Sequence, residues 1–134
     1  MKPVSVVTLP RQMPMAGIYL FSEKDCHLYV GRTNNLRRRL QNHCHPSSGH
    51  NSATFAFRLA RELTGIVQPT YVSKGSRVSL QQHPVFGPEF LTQKKRVREM
   101  QVRFVEESDP MKQALMEMYV SVSLSTPHND FDNH

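Results

Sequence analysis

Apolar and polar positions change period several times along the chain, and each change marks a predicted element. The first sixteen residues carry three prolines and read as an irregular lead-in. Met15 to Phe21, rich in branched and aromatic side chains, reads as a buried strand. Ser22 to Asp25 is a polar turn, and His27 to Gly31 is the returning strand of a hairpin. Thr33, Asn34 and Asn35 supply capping side chains for a helix from about Leu36 to Cys44, with Leu36 and Leu40 as its buried stripe. The run His45 to Gly49 breaks that helix. Ser52 can cap a second helix, in which Phe55, Leu59 and Leu63 recur every fourth residue toward the core, and Thr64-Gly65 ends it.

Residues 66 to 88 are the least legible, with proline and glycine scattered among polar positions; a loop or a short helix near Val85 to Phe90 fits equally. The basic run from Gln93 to Arg98 closes a helix, and Met100 to Val105 alternates as a third strand. Ser108-Asp109-Pro110 is a strong helix start, a capping residue followed by proline. The helix that follows, to about Leu124, is mostly apolar, and Met111, Leu115, Met118 and Val122 share one of its faces. The tail from Thr126 to His134 is polar with one aromatic residue. The order is β-β-α-α-(loop or α)-β-α, which implies an α+β (α/β sandwich) fold around a small antiparallel sheet. With 134 residues, one domain over 1–134 is expected, with 66–98 as an excursion from a minimal module.

Composition narrows the partners. Hydrophobic content is 38%, and no apolar run is long enough to span a membrane. The N-terminus lacks the apolar stretch of a signal peptide, so a cytoplasmic protein is the default expectation. The formal net charge of +6 favours polyanions such as nucleic acid. Cys26 and Cys44 make no disulfide framework. Zinc at His43, Cys44, His45 and His50 with Cys26 and His27 would give an interaction domain, but no CxxC or HxxxH spacing supports it.

Three features carry candidate chemistry. Tyr19 and Tyr29 lie on the two hairpin strands; they share a sheet face only if the loop is odd in length or a bulge shifts the register. Taken alone, they read as ordinary strand tyrosines. Arg39 and His43 are neighbours one turn apart on a flank of the first helix's buried stripe, at the boundary with the sheet. Arg38 points away from the core, and Arg37 lies on the other flank; Arg32, Arg37, Arg38 and Arg39 also suit phosphate contact, or simply a solvated face. Glu117 is the only carboxylate between Asp109 and Asp130, in a helix otherwise apolar or small. An acid there needs a salt bridge, hydrogen bonds or a metal ion.

Gly17-Ile18-Tyr19, Tyr29-Val30-Gly31, Arg39, His43 and Glu117, taken in order and spacing, resemble the GIY-YIG endonuclease family. The resemblance extends from about residue 13 to the end, and Pro127-His128-Asn129 is similar to the asparagine segment that follows the glutamate helix. Val30 stands for the usual isoleucine, and Arg32 for a small, amide or lysine residue. The resemblance implies a Mg²⁺-dependent (or Mn²⁺-dependent) endonuclease acting on DNA, with one ion per site and Glu117 as its protein ligand. It implies Tyr19, Tyr29, Arg39, His43 and Glu117 as catalytic residues, with Tyr19 as general base, Tyr29 orienting water or phosphate, and His43 assisting. Gly31, Arg32, Arg37 and Asn129 would meet nucleic acid. Cutting both strands would need a homodimer or two encounters, and choice of site a targeting protein partner. The sequence does not choose among DNA repair, mobile-element spread and defence against foreign DNA as the process served. A silent nucleic-acid-binding module and the zinc-stabilised interaction domain are the competing readings.

Overall fold

The computed structural model describes residues 1–65 and 85–129, arranged in two compact units, Met1–Leu40 with Glu99–His134 and Gln41–Arg98. In the first unit, β1 (Gly17–Glu23) and β2 (Cys26–Thr33) form the hairpin, and β3 (Gln101–Glu106) pairs antiparallel to β1, giving the order β2-β1-β3. Ile18, Phe21, Val30 and Val102 are buried, which is where the alternating apolar residues of these strands place them. The lead-in is more regular than its prolines suggest. Val4 exchanges two backbone hydrogen bonds with Val102, at 2.9 and 2.6 Å, and Val6–Thr8 forms a single 3₁₀ turn. The outer edge of β3 is thereby part-covered, which removes open ladder groups from solvent.

The hairpin turn is Lys24-Asp25, both residues at positive φ (51° and 65°). Glu23 pairs with Cys26, so the loop itself has two residues. The register then shifts between Phe21 and Ser22: Ser22 faces His27, but Phe21 faces Tyr29 and Tyr19 faces Gly31. One extra residue on β2 has been absorbed as a bulge.

Helix α1 (Leu36–Cys44) begins as expected, with Asn35 Oδ1 accepting from the Arg38 N–H at 3.2 Å and Leu36 and Leu40 fully buried. The last helix, called α4 here, is Pro110–Leu124. Asp109 caps it by accepting from Met111 N at 2.9 Å and Lys112 N at 3.4 Å, and Pro110 occupies the first turn. It packs chiefly against β2, with lesser contact to β1. Met111, Leu115, Met118 and Val122 do share a face, and that face points to solvent. The buried face is polar instead: Gln113 and Ser121 are covered, eight residues apart.

The second unit is built on α2 (Thr54–Thr64) and α3 (Phe86–Arg98). Phe57, Phe86 and Phe90 pack edge-on or tilted at centroid separations of 5.0 to 6.1 Å. Lys94 lies over the Phe90 ring at 4.4 Å and donates to the Pro46 and Ser48 carbonyls at 2.7 and 2.9 Å, pinning the chain after α1. Burial lowers the proton affinity of that ammonium. Two expectations for α2 are corrected. Leu63 is exposed, because only Phe55 and Leu59 of its row are covered. Ser52 is not the cap: Ala53 holds that position without a side-chain hydrogen bond. The expectation for residues 66–84 lies outside the described residues, but Val85–Phe90 resolves as the turn into α3 and its first residues.

Candidate active site

The bulge decides the geometry of the hairpin tyrosines. A two-residue loop pairs residues of opposite parity, which would put Tyr19 and Tyr29 on opposite faces. After the bulge, Tyr19 faces Gly31 and Tyr29 faces Phe21, so both tyrosines lie on one face as diagonal neighbours. The Tyr19 ring meets Phe21 edge-on at 5.8 Å and runs across Gly31. A Cβ at position 31 would overlap the Tyr19 ring carbons and hydroxyl. Gly31 is therefore the opening through which the phenol reaches past β2. Gly17 plays the matching part on the other side, where a Cβ would collide with the Val105 carbonyl of β3.

Arg39, half-buried on α1, donates from Nε to the Tyr19 hydroxyl oxygen at 3.4 Å. Tyr29 and Glu117 are close enough to act electrostatically on the same phenol. Burial pushes the Tyr19 proton affinity far above the ordinary phenol range, Tyr29 and Glu117 push the same way, and Arg39 opposes them by charge and hydrogen bond. Tyr19 is thus held as the neutral phenol in the resting protein. The first unit alone brings together two phenols, a guanidinium and a carboxylate, carried by β1, β2, α1 and α4.

The remaining expected residues take different positions. His43 is fully buried one turn beyond Arg39 on α1. Arg32 is exposed on β2 and Arg38 is exposed on α1. The Arg37 guanidinium donates to the Pro10 carbonyl at 2.5 Å and to that of Arg11 at 3.3 Å, so it anchors the N-terminal segment. Asn129 is turned to the backbone of β2: its amide accepts from Val30 N at 2.9 Å and donates to Val30 O at 2.7 Å. Thr126 donates to the same amide oxygen at 2.8 Å and lies 2.9 Å from the Ser121 hydroxyl. This chain of contacts ties the end of α4 to the residue between Tyr29 and Gly31.

Gln113 went unread in the sequence. It is almost fully buried, and its amide nitrogen donates to the Glu107 carbonyl at 2.5 Å and to Asn34 Oδ1 at 3.3 Å. It joins the end of β3 to the approach of α1, four residues before Glu117 on the same helix face. Its signal was a lone amide in an apolar helix, which by itself names no partner.

For a metal, the described residues hold no group of three or more His, Cys, Asp or Glu. Cys26 is exposed, whereas Cys44 is buried, with a thiol pushed up to about 11 mainly by desolvation, against the pull of Arg98. A single carboxylate suits a hard divalent ion that keeps several waters and takes its other oxygens from a substrate phosphate. Glu117 fits that requirement. Among the described residues no helix is long and apolar enough to cross a membrane.

A family model described as the GIY-YIG catalytic domain matches residues 15–73. No curated protein and no solved structure matches the chain. The matched span contains Tyr19, Tyr29, Gly31, Arg39 and His43, while Glu117, which acts on the Tyr19 phenol, and Asn129, which holds the Val30 backbone, lie beyond it. The α+β architecture with its three-stranded antiparallel sheet agrees with the match. Over residues 15–73 the chain is similar to the GIY-YIG catalytic domain, a likeness that implies nuclease-type activity on DNA.

Proposed function

We propose that this protein is a divalent-metal-dependent endonuclease that hydrolyses phosphodiester bonds in DNA. The observation that carries the reading is the convergence of Tyr19, Arg39 and Glu117 within one compact unit, around a phenol that Arg39 already contacts. Glu117 would hold one Mg²⁺ or Mn²⁺, which supplies charge neutralisation for the phosphate and lowers the proton affinity of nearby oxygens.

The chain's own groups do the rest. Arg39 offers its planar donors to the oxygens that gain charge as the phosphate becomes five-coordinate. For Tyr19 to act as base, the metal charge and the Arg39 N–H would first favour loss of its phenolic proton to solvent against the effect of burial; the phenolate oxygen then accepts the proton of the attacking water. Tyr29, half-buried on the same face, orients the water or the phosphate. Gly31 keeps the path of the phenol clear. Arg32 and Arg38, both exposed, are the phosphate contacts this arrangement favours, with Arg37 and Asn129 serving the scaffold. DNA is the partner of this reading, and the cytoplasm its compartment.

Cleavage of supercoiled plasmid tests the reading, comparing wild type with Glu117→Ala in Mg²⁺, Mn²⁺ or EDTA. Metal-dependent nicking lost in the variant is expected. Intact binding without cleavage of any DNA form would replace the enzyme with a silent binding module.

A further inference from the structure

The outward face of α4 is uncovered although it is the most apolar stretch of the helix. Met111, Leu115, Met118, Tyr119 and Val122 are 51–74% exposed. Four of them follow the spacing 4-3-4, which is the narrow seam of a helix pair rather than the wider stripe that packs on a sheet. Lys112 and Glu117 are the only charged residues of the helix, and Glu117 belongs to the half-buried side. Beside α4, Val120 lines a cavity of about 270 Å³ with Ile18, Leu20, Val30 and Val105, and Val105 is itself 47% exposed.

We infer that this face pairs two copies of the chain through antiparallel α4 helices. The seam is symmetric about its centre. With a two-fold axis there, Met111 of one copy meets Val122 of the other, and Leu115 meets Met118. The contact is self-complementary, as a closed dimer requires. Charge allows it: each copy carries +6, but this register sets Lys112 level with position 121 of the other copy, so the seam brings no ionised group against its like. The area is adequate. The five side chains present on the order of 500 Å² of mostly apolar surface, near the upper limit for a lone patch on a monomer. Two such faces together reach about the 1,000 Å² of total area that a specific contact must clear, at the weak end of the range. A dimer in the micromolar range is expected, the weak end for an interface of that size.

The test does not depend on the proposed chemistry. Mass is measured by sedimentation or light scattering from nanomolar to about 100 µM protein. Wild type should pass from monomer to dimer, and Leu115→Lys and Met118→Glu, at exposed positions that leave the fold intact by circular dichroism, should each remain monomeric. The combined Leu115→Lys/Met118→Glu protein should dimerise again, because the antiparallel register sets each lysine against a glutamate. A wild type that is monomeric throughout, a dimer indifferent to either charge, or no recovery in the combined variant would overturn the inference.

Discussion

Replacing Gly31 with alanine sets two opposed effects against each other at the centre of the site. Glycine inside a strand costs roughly 0.5–1 kcal/mol relative to alanine through backbone entropy, so at an open position the methyl would stabilise the protein by that amount. Position 31 is not open, since the new Cβ would lie within the Tyr19 ring and hydroxyl. Forcing a methyl into a packed site costs about 1–3 kcal/mol, and the ring has little freedom because Phe21 meets it edge-on and it is almost fully buried. The steric effect wins, and Gly31→Ala should lower stability by about 1–2 kcal/mol, read as a lower urea midpoint. In a Tyr19→Val background the ring is gone and the same substitution should be neutral or stabilising, a coupling of about 1–3 kcal/mol between the positions. The displaced phenol should also cost about 100-fold in DNA cleavage. A Gly31→Ala protein as stable as wild type, or an equal cost in both backgrounds, would refute the account of Gly31 as the passage for Tyr19.

Other consequences follow from the same contacts. Asn129→Ala should cost about 1–3 kcal/mol in urea unfolding, because it strips the partners from both backbone groups of buried Val30; a change within error would mean that solvent replaces the clamp. The Cys44 thiol, raised to about 11 in the folded protein, adds stability that is fully present below the ordinary thiol range and is lost as pH rises through 11. Thermal midpoints of wild type should therefore fall between about pH 9 and 11 more steeply than those of Cys44→Ala. Changing Lys24-Asp25 to Asn-Gly should raise stability by about 1 kcal/mol, since both positions have positive φ; an unchanged urea midpoint would show that the present turn bears no strain.

The sequence and the structure part company at particular residues, for physical reasons. Capping chemistry is local, so Asn35 and Asp109 were legible as helix starts before any fold was known. Periodicity identifies which residues share a face but not what that face meets. Met111, Leu115, Met118 and Val122 therefore appeared as a stripe without a direction, while Gln113 and Ser121 took the covered side. Leu63 continues the row of Phe55 and Leu59 beyond the reach of its neighbours. The hairpin shows the sharpest limit. Counting residues stated the condition under which the two tyrosines share a face, but the bulge near Phe21 that meets it leaves no mark in composition. The motif residues were legible in order and spacing. The roles of Arg37 and Asn129 as anchors of Pro10 and Val30 were not, because their partners are distant in sequence.

The central claim is that Arg39 and Glu117 act as one unit on the same phosphate. The measurement that tests it is single-turnover DNA cleavage at saturating protein by Arg39→Ala, Glu117→Ala and the double variant. Loss of one preorganised charge-stabilising group typically costs about 10²–10³ in rate. Each single variant should fall by that factor, and the double should be little slower than the slower single, since groups acting in concert are not additive. Near-normal cleavage by either single variant, or losses that multiply fully in the double, would contradict it.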